Sequence, residues 1–297
     1  MEELAYTPNR AARSLVTGRS DSVAFYVDET EDRLFADPFF LGVLRSAQLQ
    51  IARAGLQLVF STASRPEDHQ RFLNYAAGRH VDGVLLLSLH GEDALPQQLE
   101  ALGVPTVLSG RPLAGGGELH YVDADNAGGA RLATEYLLDR GRRTVATVTG
   151  PQDMCVGQDR LAGYQDAFAK RGLVPRPDLV AEGEFTISSG FAEMTHLLEA
   201  EPRIDAVFAA SDLIALGAMR AIEATGRRVF DDVAVVGFDD IGDIGDAENA
   251  SPALTTVRQP IAGIGNAMAD VLVRRIAGEQ PPRVTVLPVT LVRRRTA

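Results

Sequence analysis

The groups in this chain that could do chemistry are a pair of acids, five histidines, one cysteine and a few polar or aromatic residues at the ends of apolar runs. Asp239 and Asp240 follow the run VAVVGF. Two adjacent carboxylates can do acid–base work, although capping or ligand binding is the commoner use of such a pair. The histidines stand at 69, 80, 90, 120 and 196, in no HExxH or other tight ligand spacing, so solvated or structural roles are expected and no metal. Cys155 has no basic neighbour in sequence and reads as a buried small apolar residue. A GxSxG elbow is absent, as are a GxGxxG after a strand and a GxxxxGK[ST] loop. No enzyme and no cofactor are expected, which leaves a binding protein.

The elements that must position such a site alternate between strand and helix. SVAFYV (22–27), LQLVFS (56–61), GVLLLS (83–88), PTVLSG (105–110), TVATVTG (144–150), IDAVFAAS (204–211) and VAVVGFDD (233–240) read as strands. The nearly continuous apolar runs among them predict parallel strands buried on both faces. Between them, apolar residues at helical spacing predict helices over 39–55, 66–78, 126–141, 159–172, 188–200 and 212–226. The pattern is α/β and doubly wound. It seeds one sheet before roughly residue 140 and one after it. A helix at 261–277 and two short strands near 284–292 follow, one of which can return to each sheet. The expected architecture is two parallel-sheet lobes joined by three crossovers, a clam-shell. The expected bounds are 21–140 plus 259–285 for one lobe and 141–258 plus 286–297 for the other, with 1–20 as a separate segment.

In open α/β sheets ligands bind beyond the carboxyl ends of the strands. Asp239, Ser211, Asp125 and Asn126 fall at such ends; Phe39 and Phe40 open the first long helix, and Arg160 opens the helix after TVATVTG. Plainer roles compete with binding. Ser211 and Asp212 are good helix N-caps, and Asn126 could cap its helix. A lobe-closing salt bridge or core packing would account for Arg160, Asp239 and Phe39.

The composition narrows the partners. The 297 residues suit two domains. One cysteine permits no internal disulfide, which fits a reducing cytoplasm. A net charge of −11 opposes bulk binding to nucleic acid or anionic membrane. No apolar run reaches the roughly 18 residues of a membrane span, and no secretory signal is evident. Against that charge, YTPNRAARSLVTGRS (6–20) carries three arginines and no acid.

Four ordered motifs, DNAGGARLATEYLLDRGRRTVATVTGP, DRLAGYQDAF, AASDLIALGAMRAI and VAVVGFDD followed by SPALTTVRQP, closely resemble the LacI/GalR family of bacterial transcriptional regulators over essentially the whole chain. That resemblance implies a periplasmic-binding-protein-like core and makes YTPNRAARSLVTGRS similar to the family's hinge. Thr7 would cap the hinge helix, Pro8 would start it and Gly18 would end it. A helix of about ten residues is marginal alone in water and would order against a partner helix in a DNA minor groove. Leu15 would wedge between base steps, with Asn9, Arg10, Ala12 and Arg13 nearby. A helix-turn-helix head would precede the hinge and needs roughly 45 residues, whereas five precede Tyr6. Operator DNA is therefore an expected partner where such a head is present.

Carried over by motif, the effector site would comprise Phe39, Phe40, Asp125, Arg160, Phe185, Ser211, Asp239 and Gln259. Arg160 offers a planar fork of donors for two hydroxyls, Asp239 accepts hydroxyls, and the phenylalanines stack on a sugar face or a purine. The expectation is a cytoplasmic, homodimeric regulator of carbohydrate-use genes, a repressor sensing a small sugar between its lobes, with no membrane partner. Arg160→Ala is expected to abolish the response and leave the fold intact. The rivals are a sugar solute-binding protein, which would need export, a headless sugar sensor without DNA binding, and, more distantly, a sugar-converting enzyme.

Overall fold

The computed structural model describes residues 19–63, 65–113, 117–241 and 253–297. The hinge residues Asn9, Arg10, Ala12, Arg13 and Leu15 lie outside the described residues.

The first sheet is built from β1 (Ser22–Asp28), β2 (Gln57–Ala63), β3 (Gly83–Leu87), β4 (Thr106–Ser109), β5 (His120–Ala124) and β11 (Val284–Leu287), in the order β11-β5-β4-β3-β1-β2 and parallel throughout. All five residues of β3 and the central five of β1 are buried, as strands covered on both faces require. One cover is α2 (Pro38–Arg53) packed on α9 (Ile261–Ile276); the other is α3 (Pro66–Ala77) with α4 (Leu95–Ala101). The α2–α9 crossing is close because Gly265 has no Cβ; one built there would fall 2.4 Å from the Val43 carbonyl oxygen. A short helix, α1 (Glu31–Ala36), precedes α2.

The second sheet takes β6 (Val145–Thr149), β7 (Val180–Glu182), β8 (Ala206–Ala209), β9 (Ala234–Asp239), β10 (Thr255–Arg258) and β12 (Thr290–Val292), in the order β12-β10-β9-β8-β6-β7. Only β12 is antiparallel, to β10. Its helices are α5 (Asn126–Asp139), α6 (Cys155–Ala169), α7 (Ile187–Ala200) and α8 (Asp212–Ala224), packed as the pairs α5–α6 and α7–α8. Burying one large apolar side chain in such a layer contributes about 1.5–3 kcal/mol, and Phe208, Val236 and Phe238 are fully buried here.

The chain passes between the lobes after β5, after β10 and between β11 and β12. The first passage falls earlier than the sequence suggested. Helix α5 packs on α6 and against β9, β10 and β12, so it belongs to the second lobe, and the bound expected at 140 moves back to about residue 125. Its apolar face fits either sheet. Gly163 permits the close α5–α6 approach, since a Cβ there would lie 2.2 Å from the Ala127 carbonyl oxygen. Likewise β11 ends at Leu287, past the expected bound at 285.

Candidate functional site

A cavity opens between the lobes at the carboxyl ends of both sheets. The second lobe supplies its charged floor from Arg160, on the second turn of α6 and only 3% exposed. Helix α6 begins at Cys155, four residues before the start read from the sequence, so Arg160 does not open the helix. Its guanidinium is held on three sides. Nε donates to Asn126 Oδ1 at 3.0 Å, Nη1 donates to the Ala210 carbonyl, and Nη2 lies 3.3 Å from Asp239 Oδ1. Its carbon lies 3.8 Å from the Phe238 ring centroid and 5.6 Å from that of Phe185, a cation–π arrangement that strengthens on desolvation. Gly150 makes room for Phe185, whose ring would lie 2.1 Å from a Cβ built there.

Asp239 closes β9 with φ 121°, and Asp240 follows at φ 57°. Two successive non-glycine residues in the left-handed region are costly, and such strain gathers at functional sites. Asp239 Oδ1 accepts from Gln259 Nε2 at 2.6 Å, while Arg258 and Arg294 pair with Asp240. Burial pushes the Asp239 carboxyl up, opposed by Arg160. Asp212 is also raised, by burial and by the Asp239 charge.

The first lobe supplies the opposite wall. Asp37 caps α2 by accepting from Phe39 N at 2.9 Å, which presents Phe39 and Phe40 to the cavity. Asp123, near the end of β5, accepts from Ala124 N at 2.8 Å and from Asn126 Nδ2 at 2.9 Å. Burial pushes its carboxyl up to about 6. The arrangement suits a polyol: carboxylates to accept from hydroxyls, a fixed guanidinium to donate, and aromatic faces to stack on apolar ring faces.

The lobes touch across the mouth. Arg111 Nη2 reaches Asp159 Oδ1 at 2.7 Å. His90 joins Glu29 at 3.3 Å and Asp153, from the other lobe, at 2.9 Å, and Gly91 N donates to the Asp153 carbonyl at 2.8 Å. Arg33 of α1 lies over the Phe185 ring, 5.2 Å from its centroid.

Of the eight expected site residues, Phe39, Phe40, Arg160, Phe185, Asp239 and Gln259 line this cavity, and Asp125 and Ser211 do not. Asp125 is exposed and caps α5 by accepting from Gly128 N at 2.9 Å, the role the sequence offered to Asn126. Ser211 is buried and caps α8 by accepting from Ile214 N at 3.1 Å. Both hydroxyl and carboxyl are turned to the backbone because a helix start leaves unmet N–H groups. Sequence reasoning missed Arg33, Asp37, Ser88, Arg111 and Asp123, and offered Asn126 only as a strand-end residue or helix cap; all six line the cavity. Asp37 had a signal in Asp-Pro before a helical run. Asp123 had one in its place near a strand end. Cys155 also lines the cavity as the first residue of α6, and burial pushes its thiol up; that is an inert thiol even with a helix beneath it. The Arg160–Asp239 pair is buried, so Arg160→Ala is expected to cost stability as well as the response, where the sequence alone suggested an unaffected fold.

One group among the described residues has metal-like donors. Asp28, His69 and Asp93 present atoms within 4.8 Å of one another. His69 is engaged on both ring nitrogens, at 3.0 Å to Asp28 and 3.3 Å to Asp93, so its contacts are with the two carboxylates.

Comparison with known proteins agrees with this geometry. Residues 134–297 match the periplasmic binding protein-like domain family. The HTH-type transcriptional regulator CelR of Thermobifida fusca is 49% identical over 98% of this chain and 84% of its own length. Among solved structures, a transcriptional regulator CelR–cellobiose complex superposes with a TM-score of 0.89 at 46% identity, covering 100% of this chain and 88% of the other. The lac repressor dimer bound to operator and the anti-inducer ONPF gives 0.84 at 26% identity, covering 100% and 87%.

Proposed function

The chain belongs to the LacI/GalR family of transcriptional regulators, and from that premise we propose that it is a cytoplasmic homodimeric repressor whose DNA affinity is set by a glucoside-type sugar, cellobiose or a close analogue, bound between its lobes. The observation that carries the ligand class is Arg160, buried and fixed on three sides beneath a cavity that also holds Asp239, Phe40 and Phe185. A rigid guanidinium–carboxylate pair beside aromatic faces suits vicinal hydroxyls on a ring with apolar faces. A relative of 46% identity solved with cellobiose supports the choice of sugar.

The mechanism follows from where the contacts lie. A ligand bound to Arg160 and Asp239 on one lobe and to Phe39, Phe40 and Asp37 on the other stabilises the closed arrangement. Closure forms Arg111–Asp159 and His90–Asp153, contacts between the lobes. The sugar shifts DNA affinity only by as much as it prefers one lobe arrangement. The hinge residues Asn9, Arg10, Ala12, Arg13 and Leu15 would carry that change to a minor groove. Among the described residues no helix is long and apolar enough to cross a membrane.

The test is calorimetric titration with cellobiose, glucose and a panel of other mono- and disaccharides, followed by genomic DNA selection, on the chain carrying a helix-turn-helix head ahead of its hinge, with and without the tightest of them. Saturable one-to-one binding of a saccharide that changes DNA recovery is expected. Binding of none of them overturns the sugar reading, and sugar binding without any effect on DNA recovery overturns the regulatory one.

A further inference from the structure

The cavity described above is the inner of two chambers. The inner one encloses about 100 Å³ in this closed arrangement, below the roughly 300–1,000 Å³ of an ordinary small-molecule site. The outer one, lying between α1 on the first lobe and α7 and α8 on the second, encloses about 1210 Å³. They share two lining residues, Arg33 and Phe185, one from each lobe. Arg33 and Phe185 together form the partition, with Arg33 the only one of the two whose side chain carries hydrogen-bond donors. Its Nη1 is taken by Glu29, and its guanidinium carbon lies 5.7 Å from the Phe40 ring centroid and 5.2 Å from that of Phe185. Its Nε–H is buried and donates to no described group. A buried donor without an acceptor is costly, and a native structure holding one asks for an explanation.

We propose that the ligand is read in two chambers and that Arg33 reads the junction. A saccharide of two or more rings places its first ring in the inner chamber over Arg160 and Asp239. Its next ring lies in the outer chamber, beside His90, Glu184, Phe191 and Arg220. An oxygen at or beside the linkage accepts the Arg33 Nε–H. The chamber sizes carry the ring count, the unmet donor carries the position of the linkage, and the aromatic faces on either side (Phe40 within, Phe191 without, the latter 41% exposed) carry the ring stacking. Arg33 is then a residue that determines ligand length. This inference rests on the sugar reading above and extends it from ligand class to chain length.

The experiment compares glucose, cellobiose and cellotriose by calorimetry on the full chain and on Arg33→Ala and Phe191→Ala. The unliganded chain should bind cellobiose at least tenfold tighter than glucose, with undetectable glucose binding counted as meeting that difference, and cellotriose within tenfold of cellobiose. Arg33→Ala should weaken cellobiose about tenfold or more. Phe191→Ala, at an exposed position that leaves folding alone, should weaken both cellobiose and cellotriose severalfold while sparing glucose, and serves where Arg33→Ala melts early. A cellobiose affinity no better than that of glucose, rejection of cellotriose by more than tenfold, an Arg33→Ala loss equal for glucose and cellobiose, or cellobiose and cellotriose affinities unchanged by Phe191→Ala each overturns the two-chamber reading and leaves the sugar site standing. Binding of none of the three overturns the cellobiose-type reading itself, and this one with it.

Discussion

Arg160 and Asp239 stand 3.3 Å apart with both side chains less than a tenth exposed, one on a helix and one at a strand end of the same lobe. Each is the other's principal counter-charge. Removing one partner of such a buried pair leaves the other uncompensated, at about 3–5 kcal/mol. Arg160→Ala is expected to lose sugar binding and to melt markedly lower, whereas Arg160→Lys, which keeps a charge opposite Asp239, should retain more of the stability and still bind weakly. Calorimetry and thermal melts on both variants check this, and a stable Arg160→Ala with wild-type affinity would remove Arg160 from the site.

Arg111 and Asp159 come from different lobes and are half-exposed and partly exposed respectively. Exposed pairs contribute about 0–1 kcal/mol. Replacing Arg111 by alanine should therefore move the melting temperature little and weaken ligand binding by no more than about fivefold, through closure alone. A double-mutant cycle with Asp159→Ala should recover one shared loss.

Ser211 caps α8 and does not line the cavity. Ser211→Ala should cost about 1 kcal/mol of stability, the usual value of an N-cap, and leave cellobiose affinity within twofold. A tenfold loss of affinity would put Ser211 back in the binding site.

His90 is raised to about 9, first by its hydrogen bond to Glu29 and then by Asp153. A histidine whose folded value lies above its unfolded one stabilises fully below about pH 6.5, and that contribution fades as pH rises through 9. Discounted for partial exposure of the ring, it contributes about 1–2 kcal/mol at pH 6. Because Asp153 belongs to the other lobe, part of this favours closure. His90→Gln should melt below the wild type at pH 6, and the difference should narrow towards pH 9.5; a constant gap would show that the ring acts without its charge.

Much of the fold was legible because parallel strands buried on both faces write themselves as unbroken apolar runs: GVLLL and AVVGFD are strands in the structure. The site was legible where a residue type matches one task in the family motifs, as with Arg160, Asp239 and the phenylalanine pair. Arg33 gave no comparable signal, and Asp123 only its place near a strand end. Arg33 enters through a relation between elements far apart in sequence, meeting Phe185 of the other lobe, and Asp123 through a local turn, where it accepts from Asn126 as the chain leaves one sheet for the other.

The alternation of strands and helices and its division between two sheets were legible in local sequence, since hydrophobic periodicity and capping act over a few residues. Which sheet α5 serves, which polar residues face the cleft and which turn back to cap a helix were decided only by the tertiary structure. Asp125 and Ser211 show the reason. A short polar side chain at a helix start can satisfy either its own backbone or a ligand, and the choice depends on where the neighbouring element leaves an unmet partner.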